Sequence, residues 1–246
     1  MPPVFPDHRC AVVKIASQVA AVRAEIAAAC QRSGRDPAGI RLIAVTKSQD
    51  PSVLLALAAA GITDCGENRS DHLAVMAEAA QTAAPGLRFH HIGRVQGRQF
   101  PDILRWAGCL HGLCEAEHLP RLERAAAAVG FSAERPFPVF VQVNTSGEAS
   151  KAGLGPAALG SFLDLARRIT MLHIEGLMTM APEAAVDVTG DVIRACFARC
   201  RELAHSHGLS RLSMGMSGDF ITAVEEGATD VRIGTRLFAE GAGEPP

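Results

Sequence analysis

The sequence contains no tyrosine and a single tryptophan, and aromatic residues fill only 4% of its 246 positions. The missing tyrosine removes one of the side chains that move protons in catalysis, which narrows the chemistry considered below. No CxxC pair occurs among the seven cysteines. Cys196 and Cys200 share a helical face, but no second His/Cys pair at zinc-ligand spacing accompanies them, so no metal site is expected. No apolar run is long enough to span a bilayer. The start, Met1-Pro2-Pro3-Val4-Phe5-Pro6, lacks the basic and apolar segments of a signal peptide. An odd cysteine count without such a leader points to free thiols in a reducing cytoplasm. The formal net charge of -2 leaves no surplus of Lys and Arg for phosphates and argues against a general nucleic-acid binder.

What the chain does have is apolar mass. Hydrophobic residues make up 48% and charged residues 20%, enough for one large core. No repeat, linker or low-complexity tract divides the chain, so one domain over residues 1–246 is expected. Val12, Ile15, Val19, Val22 and Ile26 recur at spacings of three and four and predict a first helix that ends at Ser33-Gly34. Strand candidates and helical patterns then alternate. The strand candidates are Arg41–Val45, Gly61–Cys65, Leu87–Ile92, Cys109–His111, Pro138–Val143, Leu172–Leu177, Arg211–Met214 and Asp230–Ile233. Between them, helices are predicted over Pro51–Ala60, Ser70–Gln81, Phe100–Leu104, Glu117–Val129, the Leu159–Ile169 face, the Ile193–Leu203 face and Phe220–Glu225.

Eight such β/α units predict an α/β fold, a (β/α)8 TIM-type barrel with an extra N-terminal helix. That helix could fill the gap left where the chain ends soon after the eighth strand. The alternative, an open doubly wound sheet, wants a glycine-rich loop after the first strand, and Thr46-Lys47-Ser48-Gln49-Asp50 is not one.

The distinctive polar residues sit at strand exits, which in a barrel share the face where active sites form. Lys47 follows the first strand, Glu67-Asn68 the second and Asn144-Thr145-Ser146-Gly147 the fifth. Met178-Thr179-Met180 follows the sixth, Gly215-Met216-Ser217-Gly218 the seventh and Gly234-Thr235-Arg236 the eighth. An average lysine at a strand end is a solvated cap; one partly desolvated at a barrel mouth can attack an aldehyde. The loops after strands seven and eight suit a phosphate, through backbone N–H groups and the hydroxyls of Ser217 and Thr235, but turn formation accounts for the same residues. Arg232, between Val231 and Ile233, is expected inside the barrel, either paired with Glu67 or Glu175 or facing a ligand nitrogen. Of His90 and His91, alternation sends one inward and one toward the helices. Asn68 and Asn144 suit either ligand contact or turn formation. No Gly-x-Ser-x-Gly elbow is present.

Taken together, Leu42–Lys47, Gly66-Glu67-Asn68, His91–Gln96, Gln142–Gly153, Gly176–Thr179, Leu212–Phe220 and Val231–Arg236 resemble, in order, the pyridoxal-phosphate homeostasis proteins, relatives of the alanine racemase barrel domain. The resemblance implies pyridoxal 5′-phosphate held as an internal aldimine on Lys47. It implies a phosphate held by Ser217, Gly234 and Thr235 beside Met216, with Arg232 facing the pyridine nitrogen and Asn68 lining the cofactor's face. It also implies a monomer that serves cofactor homeostasis, with PLP-dependent apoenzymes as recipients and no membrane partner. Two departures, Arg69 after Gly66-Glu67-Asn68 and the His90–Gln99 block, put ligand contacts near the mouth in question.

An arginine opposite the pyridine nitrogen keeps it unprotonated and makes the ring a weak electron sink. A two-base racemase needs a second base, and alanine racemases take theirs from a tyrosine on another domain. Three readings follow: a cofactor carrier with little or no turnover, a small amino-acid racemase, and a cofactor-free barrel enzyme for a phosphorylated metabolite. The missing tyrosine favours the first over the second, and Lys47 favours both over the third.

Overall fold

Short apolar runs become parallel strands, each followed by a helix that covers it. The computed structural model describes residues 8–148, 151–182 and 190–238. Among them β1 (Arg41–Val45), β2 (Asp64–Glu67), β3 (Arg88–His91) and β4 (Cys109–Leu113) lead into β5 (Phe137–Gln142), β6 (Leu172–Met178), β7 (Arg211–Ser213) and β8 (Asp230–Ile233). They pair in chain order, all parallel, and β8 returns to β1, closing the expected barrel.

Helices α1 (His8–Ser33), α2 (Val53–Ala59), α3 (Ser70–Ala83), α4 (Phe100–Trp106), α5 (Leu119–Val129), α6 (Leu159–Ala166), α7 (Gly190–Ser206), α8 (Phe220–Glu225) and α9 (Thr235–Phe238) complete the elements. The bounds of β1, β8 and α8 coincide with the sequence expectation. β2 starts at Asp64 rather than Gly61, because Gly61 (φ 74°) ends the turn after α2. α2 begins at Val53 rather than Pro51, behind a turn in which Asp50 accepts from the Ser52 backbone N–H.

The main core lies between barrel and helices. Leu42 and Ala44 of β1, Phe89 of β3 and Val231 and Ile233 of β8 pack there with helix side chains. α1 adds Ile15, Val19, Val22, Ile26, Ala29 and Cys30 to the same core. It lies against α2, α8 and α9, the place foreseen for it. Each large apolar side chain in that stripe contributes about 1.5–3 kcal/mol. Arg32 to Glu225 (2.8 Å) and Arg236 to Glu25 tie α1 to the end of the chain.

The barrel interior is polar at its lower end. Arg41, Asp64, Arg211 and Asp230, at the starts of four strands, form ion pairs there. Above them, a smaller apolar group of Cys109, Phe140 and Met178 packs with Met180.

Candidate functional site

β1 delivers Lys47 to the top of the barrel two residues beyond its last member. Thr46 is still sheet-bonded through its N–H to the Gly66 carbonyl (3.0 Å), so Lys47 is the first residue free to turn over the mouth. Lys47 is exposed, which is the solvated of the two settings considered for it from the sequence.

The loops after β7 and β8 face it. Gly215 adopts φ 94°, and a Cβ there would lie 2.6 Å from the Ala223 side chain, so only glycine makes this turn. The Gly215 carbonyl accepts from the Arg232 N–H (3.0 Å), and Asp219 accepts from the Met216 N–H (2.6 Å), which sets the loop in place. Ser217 Oγ then receives the backbone N–H groups of Gly234 (3.2 Å) and Arg236 (3.5 Å). Two backbone donors that converge on one hydroxyl oxygen are donors an anion can take over. The Arg236 guanidinium itself is turned away to Glu25.

A cavity of about 630 Å³ opens between these loops. Lys47, Asn68, Met216, Ser217, Arg232, Gly234 and Thr235 all line it, so every residue singled out from the sequence as a cofactor contact reaches one space. Gly93 supports the Asn68 wall, since its backbone is so close that a Cβ would sit 2.2 Å from the Asn68 carbonyl oxygen.

Arg232 is buried, and its partners are not the carboxylates considered from the sequence. One guanidinium N–H donates to Ser213 Oγ (2.6 Å) and another to the Thr179 carbonyl (3.0 Å). Glu67 lies outside the barrel wall with Thr46 and His72, and Glu175 pairs with Arg211. Burial brings the Arg232 guanidinium down to about 10, against the opposing charges of Asp219 and Asp230, neither of which bonds to it.

The asparagine alternative also resolves. Asn68 lines the cavity, while Asn144 Nδ2 donates to the carbonyls of Glu148 (2.8 Å) and Lys151 (3.2 Å) and shapes its own loop. Ala149 and Ser150 of the Gln142–Gly153 block lie outside the described residues. Arg69 pairs with Asp71, and Gln96 and Gln99 cap one another's turn, so of these departures only Ile92 reaches the cavity wall. His90 points into the barrel, and His91 is buried on the other side with neither ring nitrogen bonded.

The sequence placed Ile92, Met178 and Met180 at strand exits on this face but gave them no part in the cavity, and it gave none to Val45 or Phe238 either; all five belong to the apolar part of the wall. The signal was present for the two methionines, which stand two apart at a strand exit and therefore face the same way.

The alanine racemase N-terminal domain family matches residues 17–240. The pyridoxal phosphate homeostasis protein of Pseudomonas aeruginosa is 38% identical, covering 91% of this chain and 94% of that protein. The chain belongs to this family. The homeostasis protein of Vibrio cholerae is 33% identical over 89% of this chain and 93% of its own length. Among solved structures, the family member PipY of Synechococcus elongatus, determined with PLP bound, superposes with a TM-score of 0.78 at 29% identity. That match covers 92% of this chain and all of PipY. An alanine racemase of Clostridium difficile shares the fold at a TM-score of 0.67 and 15% identity, and this chain covers 53% of it. For a homeostasis protein the likeness is thus full-length, whereas the racemase carries about as much chain again beyond the barrel.

Proposed function

We propose that this protein binds pyridoxal 5′-phosphate in the cavity at the top of its barrel and serves the homeostasis of that cofactor, with little or no turnover. The observation that carries the reading is the convergence of Lys47, Arg232 and the Ser217 and Gly234-Thr235 loops on one cavity of about 630 Å³. That volume suits a small cofactor. The donor set also fits: two backbone N–H groups and two hydroxyls for a phosphate, and a buried cation for a ring nitrogen. PipY, with PLP bound and 29% identity over its full length, supports the same assignment.

When bound, pyridoxal phosphate supplies an aldehyde and an electron-withdrawing ring. The chain's own groups then have distinct tasks. Lys47 would hold the cofactor through its aldehyde, with Nζ as the nucleophile and the aldehyde oxygen leaving as water. Ser217, Gly234 and Thr235 hold the phosphate, with Met216 beside them. Asn68 borders the cofactor's face. Arg232 donates to the ring nitrogen and keeps a proton off it. The barrel over residues 1–246 acts as a single binding domain.

Carrier is favoured over racemase by what else faces the cavity. Among its described lining residues, no Asp, Glu, His or Cys stands opposite Lys47 to serve as a second base. The six cysteines whose side chains are described are free thiols and suit a reducing cytoplasm, and among the described residues no helix is long and apolar enough to cross a membrane. On this reading the protein acts as a monomer that buffers the cofactor or passes it to apoenzymes.

The deciding measurement is the visible absorption of the purified protein with added pyridoxal phosphate, beside Lys47→Ala. A yellow band in the wild type that is lost in the variant supports the reading. No band in either overturns it and moves a phosphorylated-metabolite enzyme to first place. Robust racemisation in an assay on several amino acids would replace carrier with racemase.

A further inference from the structure

A continuous line of hydrogen bonds runs down the inside of the barrel from the cavity. Arg232 donates to Ser213 Oγ at 2.6 Å. Ser213 Oγ lies 2.8 Å from His111 Nδ1, and His111 Nε2 lies 2.9 Å from His90 Nδ1. His90 Nε2 ends the line 2.8 Å from Asp64 Oδ1. The four interior members above Asp64 are buried, and they come from β8, β7, β4 and β3, so the line crosses the barrel.

Its two ends have fixed character. A guanidinium has only donors, so Ser213 must accept from Arg232. Asp64 receives the Thr63 hydroxyl on its other oxygen (2.7 Å) and faces Arg41 at 3.7 Å. Burial raises its carboxyl, but these partners and His90 outweigh burial and hold it below its ordinary value, as an acceptor. His90 Nε2 therefore carries a hydrogen. Burial lowers both His90 and His111, so each keeps one hydrogen. With Nε2 of His90 protonated, its Nδ1 accepts from Nε2–H of His111. Nδ1 of His111 then accepts the Ser213 hydroxyl hydrogen, and every link donates in one direction.

We propose that His111 and Ser213, held in this direction by His90 and Asp64 at the far end of the barrel, are positioning residues for Arg232. With its hydrogen committed to His111, Ser213 can turn only lone pairs toward the guanidinium. Together with the Thr179 carbonyl it holds two N–H groups and leaves the others for the ring nitrogen of the cofactor. The inference rests on the cofactor reading above. The residues named reach the cofactor only through Arg232.

The first test needs no cofactor. Nitrogen-15 spectra of the apoprotein, with His90→Gln and His111→Gln for assignment, should show both histidines neutral with hydrogen on Nε2. Hydrogen on Nδ1 of His111, a doubly protonated His90, or stoichiometric zinc bound by this pair and Cys109 would overturn the proposal.

The second test compares pyridoxal phosphate with its 1-deaza analogue, in which C–H replaces the ring nitrogen. The wild type should prefer the natural cofactor by about tenfold, the worth of one charged hydrogen bond. His111→Phe should bring that ratio close to one. His111→Gln, whose amide can accept from Ser213 and donate to His90, should keep it. General damage to the fold weakens both compounds alike and leaves the ratio unchanged, so an unchanged ratio in His111→Phe overturns the proposal. If the wild type binds neither compound, the cofactor reading itself fails, and with it the role of Arg232, whatever the spectra show.

Discussion

His72 and Glu67 share a hydrogen bond of 2.8 Å directly behind the turn that carries Lys47. The Glu67 carboxylate is fully buried and also receives the Thr46 hydroxyl at 2.5 Å, while His72 Nε2 approaches the Gln49 carbonyl at 3.2 Å. Residues on both sides of Lys47 are thus anchored to one carboxylate.

Glu67→Ala should leave the Thr46 hydroxyl and His72 without their acceptor and cost about 3 kcal/mol of stability. It should also weaken cofactor binding, because the Lys47 turn loses its anchor. Glu67→Gln retains an acceptor for Thr46 and should cost about 1 kcal/mol. Urea unfolding and an absorbance titration of pyridoxal phosphate check both. An alanine variant as stable as the wild type would refute the anchoring role.

Gly93→Ala should be disproportionately damaging for one methyl group. The added carbon would meet the Asn68 carbonyl oxygen at 2.2 Å, so the backbone under the cavity wall must move. A loss of about 3 kcal/mol is expected, with weaker cofactor binding even where the fold survives. Thermal unfolding and the same titration report the two effects separately.

Ser217→Asp places a negative charge where the backbone N–H groups of Gly234 and Arg236 converge. A phosphate there would be repelled, and affinity for pyridoxal phosphate should fall about a hundredfold or more, some 2.7 kcal/mol. Because the site is part-exposed, stability should stay within about 0.5 kcal/mol of wild type. Unchanged affinity would move the phosphate elsewhere.

The pH dependence has a definite sign. Burial brings the His91 imidazole down to about 4, and neither ring nitrogen has a hydrogen-bond partner to offset that cost. Between about 6.5 and 4 the unfolded chain binds a proton that the folded chain refuses, so stability falls as pH drops through this window. His91→Leu should therefore gain about 2 kcal/mol on the wild type when urea midpoints at pH 7 and pH 5 are compared. His90 and His111, also lowered by burial, keep part of the slope in the variant. Equal slopes in both proteins would locate the acid sensitivity elsewhere.

Local patterns were legible where one element decides them. Arg41–Val45 is a short apolar run and Asp230–Ile233 alternates charged with apolar residues, and the ends of both fall where the sequence places them. Lys47, Ser217 and Thr235 were recognisable as strand-exit residues, and a closed barrel brings strand exits together whatever its helices do. The partner of Arg232 was not legible. It depends on which side chain of β7 stands beside β8 inside a closed sheet, and stagger between strands sets that. For the same reason His111 gave no hint that it reaches His90 on one side and Ser213 on the other. Met178, Met180 and Ile92 were placed at strand exits but given no role in a wall, because methionine and isoleucine at strand ends look like ordinary core.

The placement of α1 has a consequence for how the protein is made. This helix precedes every strand of the barrel in chain order, yet its apolar stripe lies against α2 on one side and against α8 and α9 on the other. The first neighbour is synthesised within some twenty residues, whereas α8 arrives only after β7 and α9 only after β8. For most of translation one flank of the stripe has nothing to cover it. The barrel therefore cannot close progressively as it emerges. α1 must be kept from other partners until α8 and α9 are free to meet it.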